Sequence, residues 1–208
     1  MKHLWNILCR GSILTILLSS LLLIASAETV SFCDSIPMQL TDWNSSVTLP
    51  KFDPEMGTLT GVDLKSVLNL SQGISIENKN SRPSNYTISI FGGMIVLLPN
   101  SDNISININH SSSGNLSGFD GNVDSAGPSG VSTNEVIATE PALKNYSAIN
   151  DFIGSSPGEK IALPVRVYLS SRMQLPGTAD SGISTNSGAT VCISYIYNPK
   201  ATQEGGSS

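Results

Sequence analysis

Only 13% of the 208 residues are charged, and 16 acidic against 11 basic side chains leave a formal net charge of −5. With no cluster of Lys or Arg, that balance excludes the basic footprint that nucleic acid requires and the polybasic patch that anionic lipid requires. An abundance of Ser, Thr, Asn and Gly with so few charges is the composition of an extracellular β-protein, not of a cytosolic helical enzyme.

The first segment predicts export. Lys2 and Arg10 flank a short polar start, Ile13–Ile24 is apolar except for Thr15, Ser19 and Ser20, and Ala25-Ser26-Ala27 gives the small-x-small pattern of signal peptidase. Residues 1–27 therefore read as a Sec-type signal peptide cut before Glu28. The apolar run is shorter than the roughly twenty residues needed to span a bilayer, so no membrane insertion is expected after cleavage. The remaining 181 residues carry 9 basic and 16 acidic side chains, a net charge of −7. That length suits one domain with a real core.

Cys9 leaves with the signal peptide, and Cys33 and Cys192 remain. An even count in an oxidising compartment points to one disulfide between the first segment and the last strand. The alternative is two separate small buried side chains. Val30-Ser31-Phe32 before Cys33 places a ring where lipid attachment needs a small residue.

Residues 28–45 read as a lead-in, 46–199 as the domain and 200–208 as a disordered tail. Val47 and Leu49 open a strand that runs through Pro50 into the Phe52-Asp53-Pro54 turn, and Gly57 releases the chain into Thr58–Leu70. There the apolar pairs 62/64 and 68/70 share period two, and Gly61 marks a bulge that resets the phase. Ile74 and Ile76 begin another strand. Tyr86, Ile88 and Ile90 alternate with Thr87, Ser89 and Phe91, and Met94–Leu98 reads as a strand buried on both faces. Ile104, Ile106 and Ile108 alternate with Ser105, Asn107 and Asn109.

Ser111–Gly130 is polar enough to be a long surface loop. Glu140–Gly154 is the one helical candidate, with Leu143, Tyr146, Ile149 and Ile153 on a single face. Ile161, Leu163, Val165, Val167 and Leu169 face one way, with Pro164 at an edge or bulge position. Ser181–Gly188 reads as a turn, and Val191, Ile193, Tyr195 and Tyr197 line one side of a closing strand. The predicted fold is all-β, an antiparallel β-sandwich with one short helix.

Three stretches carry a family resemblance: Leu49–Val62 (LPKFDPEMGTLTGV), Asp151-Phe152-Ile153-Gly154 with the strand after it, and Ile193-Ser194-Tyr195-Ile196-Tyr197. In that order they resemble the choice-of-anchor E domain, a family of exported prokaryotic β-domains that occur with different surface anchors. The resemblance implies a β-domain at the cell surface and no assigned chemistry. Unlike the family pattern, this chain shows no apolar anchor in its tail, and its middle is rich in sequons.

Catalytic signatures are sparse. The single histidine after the signal peptide, His110, has no Gly-x-Ser-x-Gly elbow beside it and reads as an exposed loop imidazole. Two distant cysteines and one histidine do not make a zinc set. Asp53 with Glu55, or Asp151 with Glu159, can be nominated as the carboxylate pair of an extracellular hydrolase, but nothing in the sequence brings either pair across a cleft and solvated turn acids are the favoured reading. Asp120, Asn122 and Asp124 alternate oxygen ligands on a glycine-containing loop, the pattern a calcium ion seeks, although no Glu stands at the twelfth position. Asp and Asn also occupy such turns by capping their own backbone.

Asn44, Asn69, Asn85, Asn103, Asn109, Asn115 and Asn145 sit in Asn-x-Ser/Thr, seven of the sixteen asparagines after residue 27. Ser and Thr make up 42 of those 181 residues, which predicts roughly four sequons by chance. N-glycosylation is the strongest local chemical signal, with polar loop composition as its alternative. The sequence favours a non-catalytic surface or envelope module with an envelope protein or glycan as partner. Its rivals are a carbohydrate-binding module using Trp43, Tyr86, Tyr146, Tyr168, Tyr195 or Tyr197, most of which lie on apolar faces and read as core, and, behind it, a hydrolase.

Overall fold

In the computed structural model, residues 26–200 are described, so the expected signal peptide, apart from Ser26 and Ala27, and residues 201–208 of the expected tail lie outside the described residues. The strands are β1 (Glu28–Leu40), β2 (Trp43–Pro50), β3 (Gly57–Asn78), β4 (Ser84–Leu97), β5 (Asn103–Leu116), β6 (Gly130–Ile137), β7 (Ala142–Tyr146), β8 (Lys160–Gln174) and β9 (Ala179–Pro199). One sheet has the order β1-β9-β3-β6, with β7 also on β3; the other has β2-β8-β4-β5. All strand pairs are antiparallel. The two sheets stack as a β-sandwich, as the alternating patterns require.

The core is built from the inward halves of these alternations. Val47, Leu49, Leu64, Leu68, Leu163, Val165, Val191, Ile193 and Tyr195 are all buried in one cluster, each worth about 1.5–3 kcal/mol of transfer free energy. Leu59 and Val62 are both buried although they differ in parity. The β3–β9 register slips between Leu59 and Gly61, so the expected bulge lies there and restores the inward phase. Pro164 falls just beyond Val165, where the β4–β8 ladder ends.

Several expectations are corrected. Glu140–Gly154 contains no α-helix: Ala142–Tyr146 is a strand on the free edge of β3, and only Ile149–Phe152 makes a 3₁₀ turn. Leu143 is 75% exposed, because an edge strand turns alternate residues outward. Pro141 lacks an amide donor, Asn145, Tyr146 and Ser147 are mediocre helix formers, and the unpaired edge of β3 offers their backbone partners. The lead-in is structural, forming β1 and the start of β2. Ser111–Leu116 continues β5, and Ser181–Gly188 lies inside the 21-residue β9. Met94–Leu98 is not buried on both faces, since Leu97 is 49% exposed.

The three stretches that carry the family resemblance meet at one end of the sandwich. Phe52 forms a parallel bridge with Ile153; its N–H donates to the Phe152 carbonyl at 2.8 Å, and its own carbonyl accepts the Gly154 N–H at 2.9 Å. The Phe52 ring packs on Tyr195 and Tyr197, centroids 5.7 and 5.3 Å apart. Tyr195 Oη donates to the Pro50 carbonyl at 2.8 Å. Gly57 permits this closure, because a Cβ there would stand 2.1 Å from the Asn198 carbonyl oxygen.

Cys33 and Cys192 are directly opposite in the β1–β9 register, Cα atoms 4.1 Å apart, and their sulfurs are bonded. The bridge spans 159 residues, for which chain entropy gives about 5 kcal/mol. The double variant Cys33→Ser with Cys192→Ser is expected to lose about 2–5 kcal/mol in urea unfolding, with a steeper slope because the uncross-linked unfolded chain exposes more surface. A loss below about 1 kcal/mol would show that the bridge is incidental.

Candidate functional site

The outer face of the four-stranded sheet gathers most of the chemical signal. β5 turns Asn103, Ser105, Asn107, Asn109, Ser111, Ser113 and Asn115 to solvent, while Ile104 and Ile106 are buried. In the neighbouring rows Asn85 stands opposite Asn115, Phe91 opposite Asn109 and Leu97 opposite Asn103. β8 adds Arg166, Tyr168 and Arg172, and the Arg166 guanidinium lies 6.0 Å from the Tyr168 ring centroid.

All seven sequon asparagines are exposed, with Asn44, Asn85, Asn103, Asn109 and Asn115 on this sheet and Asn69 and Asn145 on β3 and β7. Six of the other nine described asparagines are exposed too, so exposure permits modification at all seven without selecting them. The Asn145 side-chain amide donates to Asp63 Oδ1.

The aromatic candidates divide. Trp43 is core, its Nε1 donating to the Ser187 carbonyl and hydroxyl at 3.2 and 2.8 Å. Tyr146, Tyr195 and Tyr197 are buried as well. Burial pushes the Tyr195 hydroxyl's pKa well up, and the hydrogen bond to Glu28 raises that of Tyr197. Tyr86 is half-buried across Gly114, whose Cβ would fall 2.6 Å from the ring. Tyr168 remains half-exposed, and Phe91, which was not among the aromatic candidates, is 49% exposed. Its place on the polar face of an alternating strand was the available signal.

His110 is on β5, not in a loop, with Nε2 3.5 Å from Glu135 Oε1. It belongs to a polar transect: Glu135, Gln72 and Thr185 are register neighbours in one sheet, and His110, Ile90 and Ser171 in the other. Ser171 and Thr185 hydroxyls meet across the sandwich at 2.7 Å. This belt separates the main core from a smaller cluster of Ile76, Ile88 and Leu116.

The nominated acids have separate occupations. Asp53 Oδ1 accepts the Glu55 N–H at 2.9 Å. Asp151 Oδ2 accepts the Tyr146 hydroxyl at 3.0 Å and the Asn100 amide. Glu159 pairs with Lys51 Nζ at 2.7 Å and accepts the Ser155 N–H and hydroxyl at 2.6 and 2.8 Å. In the calcium candidate, Asp120 and Asp124 each cap a backbone N–H two residues on, those of Asn122 and Ala126. Among the described residues no three His, Cys, Asp or Glu side chains group as a metal site, and no helix is long and apolar enough to cross a membrane.

No family model and no curated protein sequence matches the chain. Among solved structures, the Gx strain of infectious bursal disease virus aligns at TM-score 0.22 and 7% identity, over 84% of this chain and 37% of that one. A mutant VP2 protein of infectious bursal disease virus aligns at TM-score 0.24 and 10% identity, over 81% and 36%. The chain thus spans little more than a third of either protein. Similarity of this size assigns neither activity nor partner.

The Lys51 ammonium and the Ser155 donors hold the Glu159 carboxyl down to about 2 from an ordinary 4.5. Because the folded value is depressed, its contribution to stability is present above pH 4.5 and lost as pH falls toward 2. NMR titration of Lys51→Met is expected to return Glu159 toward the ordinary range. An unchanged titration would assign the shift to Ser155 alone.

Proposed function

We propose that the chain is a non-catalytic, exported β-sandwich module of the cell exterior, serving display, adhesion or envelope structure. The observation that carries this reading is the Cys33–Cys192 pair, placed in register across the first and last strands. Such a bridge is kept in an oxidising compartment, in agreement with the signal-peptide pattern of residues 1–27. The carboxylates and histidine that hydrolysis would require are engaged in turns, ion pairs and the inter-sheet belt, so no residue receives a catalytic role. The resemblance to the choice-of-anchor E domain points the same way, and its three stretches converge on Phe52. The expected partners are an envelope protein or a surface glycan, with calcium as an unassigned option at Asp120, Asn122 and Asp124.

A second reading, a carbohydrate-binding module, is favoured by Phe91, Tyr168 and Arg166 on one open face. Trp43 is excluded from that role by its burial. Sugar stacking would use the exposed Phe91 ring, at roughly 1 kcal/mol for an aromatic contact.

Cell fractionation with intact-mass measurement tests the main reading. The native protein is expected outside the cytoplasm, beginning at Glu28 with Cys33 and Cys192 oxidised. Full-length protein in the cytoplasm with Cys9, Cys33 and Cys192 all as free thiols would contradict it. Glycan binding abolished by Phe91→Ala in a folded protein would transfer support to the second reading.

A further inference from the structure

β5 ends the four-stranded sheet, so one side of its backbone has no strand partner. It pairs with β4 over fourteen consecutive positions without a bulge, an edge roughly 45 Å long. Edges of this kind are ordinarily blunted by Lys, Pro, inward charges, bulges or shortness. The other edges of this sandwich use those devices. On β2 the Thr48 N–H is taken by the Asp34 carboxylate at 2.7 Å. On β1 the register breaks between Ile36 and Gln39. β7 is only five residues long and carries Lys144, and β6 carries Glu135.

β5, NISININHSSSGNL, has no Lys, Arg, Asp, Glu or Pro. Its one evident obstruction is at the end, where Lys144 Nζ donates to the Asn103 carbonyl at 2.9 Å. Alternating Ile with small polar residues, uncharged and proline-free, is the pattern that pairs with copies of itself. A groove of about 490 Å³ also runs between Ser105–His110 and Ile137–Ala142, on the open side of this edge.

We propose that the β5 edge is a self-association site for a second copy of this chain, and that N-glycans on Asn103, Asn109 and Asn115 keep it closed. Antiparallel self-pairing about Ile106 sets Ile106 against itself, Ile104 against Ile108, and Ser105 against Asn107. The arrangement is two-fold and uses up the edge, so it closes as a dimer and does not grow into a fibre. The three sequons are six residues apart, which places all of them on the solvent face at intervals of roughly 20 Å. Branched glycans at that spacing cover the approach to the whole strand, the protection that its composition omits. This inference rests on the export reading only for the glycans; the edge itself is a property of the unmodified chain.

Light scattering after gel filtration separates the two parts. Residues 28–208 produced without glycosylation are expected to double in mass as concentration rises through tens of micromolar, and Asn107→Lys, an exposed change that leaves every sequon intact, is expected to abolish the doubling with unchanged circular dichroism. The native secreted protein is expected to be monomeric, to carry glycan mass on peptides holding Asn103, Asn109 and Asn115, and to dimerise once the glycans are enzymatically removed. Unmodified protein that stays monomeric, or that dimerises equally well as Asn107→Lys, overturns the edge. Native protein unmodified at all three asparagines overturns the guard and leaves the edge standing.

Discussion

β9 is the last strand in the chain and the second in its sheet, lying between β1 and β3. Its 21 residues pair with β3 from Gly57↔Pro199 to Asn78↔Ala179. The five-stranded sheet therefore has no continuous hydrogen-bonded middle until the C-terminal segment inserts. Contacts so distant in sequence carry a large loop-closure cost before they return any stability. The disulfide joins the two partners for which that cost is greatest, β1 and β9, and Phe52 anchors the same C-terminal half of β9 through Tyr195 and Tyr197. Both devices act on one strand, and the inward faces of both sheets depend on its place.

This arrangement separates a structural interior from a permissive exterior. Ser, Asn and Thr fill the outward rows, some of them bonded across neighbouring strands, as Ser31 is with Ser194 and Ser35 with Thr190, while the buried polar side chains include the belt around Gln72 and Thr185 and, outside it, Ser66, Glu77, Asn78 and Ser187. A surface so free of packing constraint can accept glycans or a binding partner at little cost to the fold. The same freedom leaves the β5 edge dependent on something outside its own composition.

Much of the fold was legible in residue alternation. Val47 and Leu49, the Leu163–Val167 run and the Val191–Tyr197 run are buried as their period demands, and Gly61 marks the bulge. Two illegible segments share one cause. Ser111–Leu116 and Ser181–Gly188 are strands whose inward positions include Ser112, Gly114, Thr185 and Ser187, so backbone pairing holds them where apolar pattern is silent. Ala142–Tyr146 fits a helical face equally well, and only the vacant edge of β3 decides it. For the candidate face, the sequence named the sequons and Tyr168, and the apolar faces that carry most of the other aromatic candidates already pointed to the core, where Trp43, Tyr146, Tyr195 and Tyr197 lie.

Hydrogen exchange of the native-state amides addresses the central role of β9 most directly. Its amides, flanked by β1 and β3, should be among the slowest and should exchange together with those of β3 only through global unfolding. Protection confined to β2, β8, β4 and β5, with β9 opening as fast as the Ser117–Ser129 loop, would contradict the account.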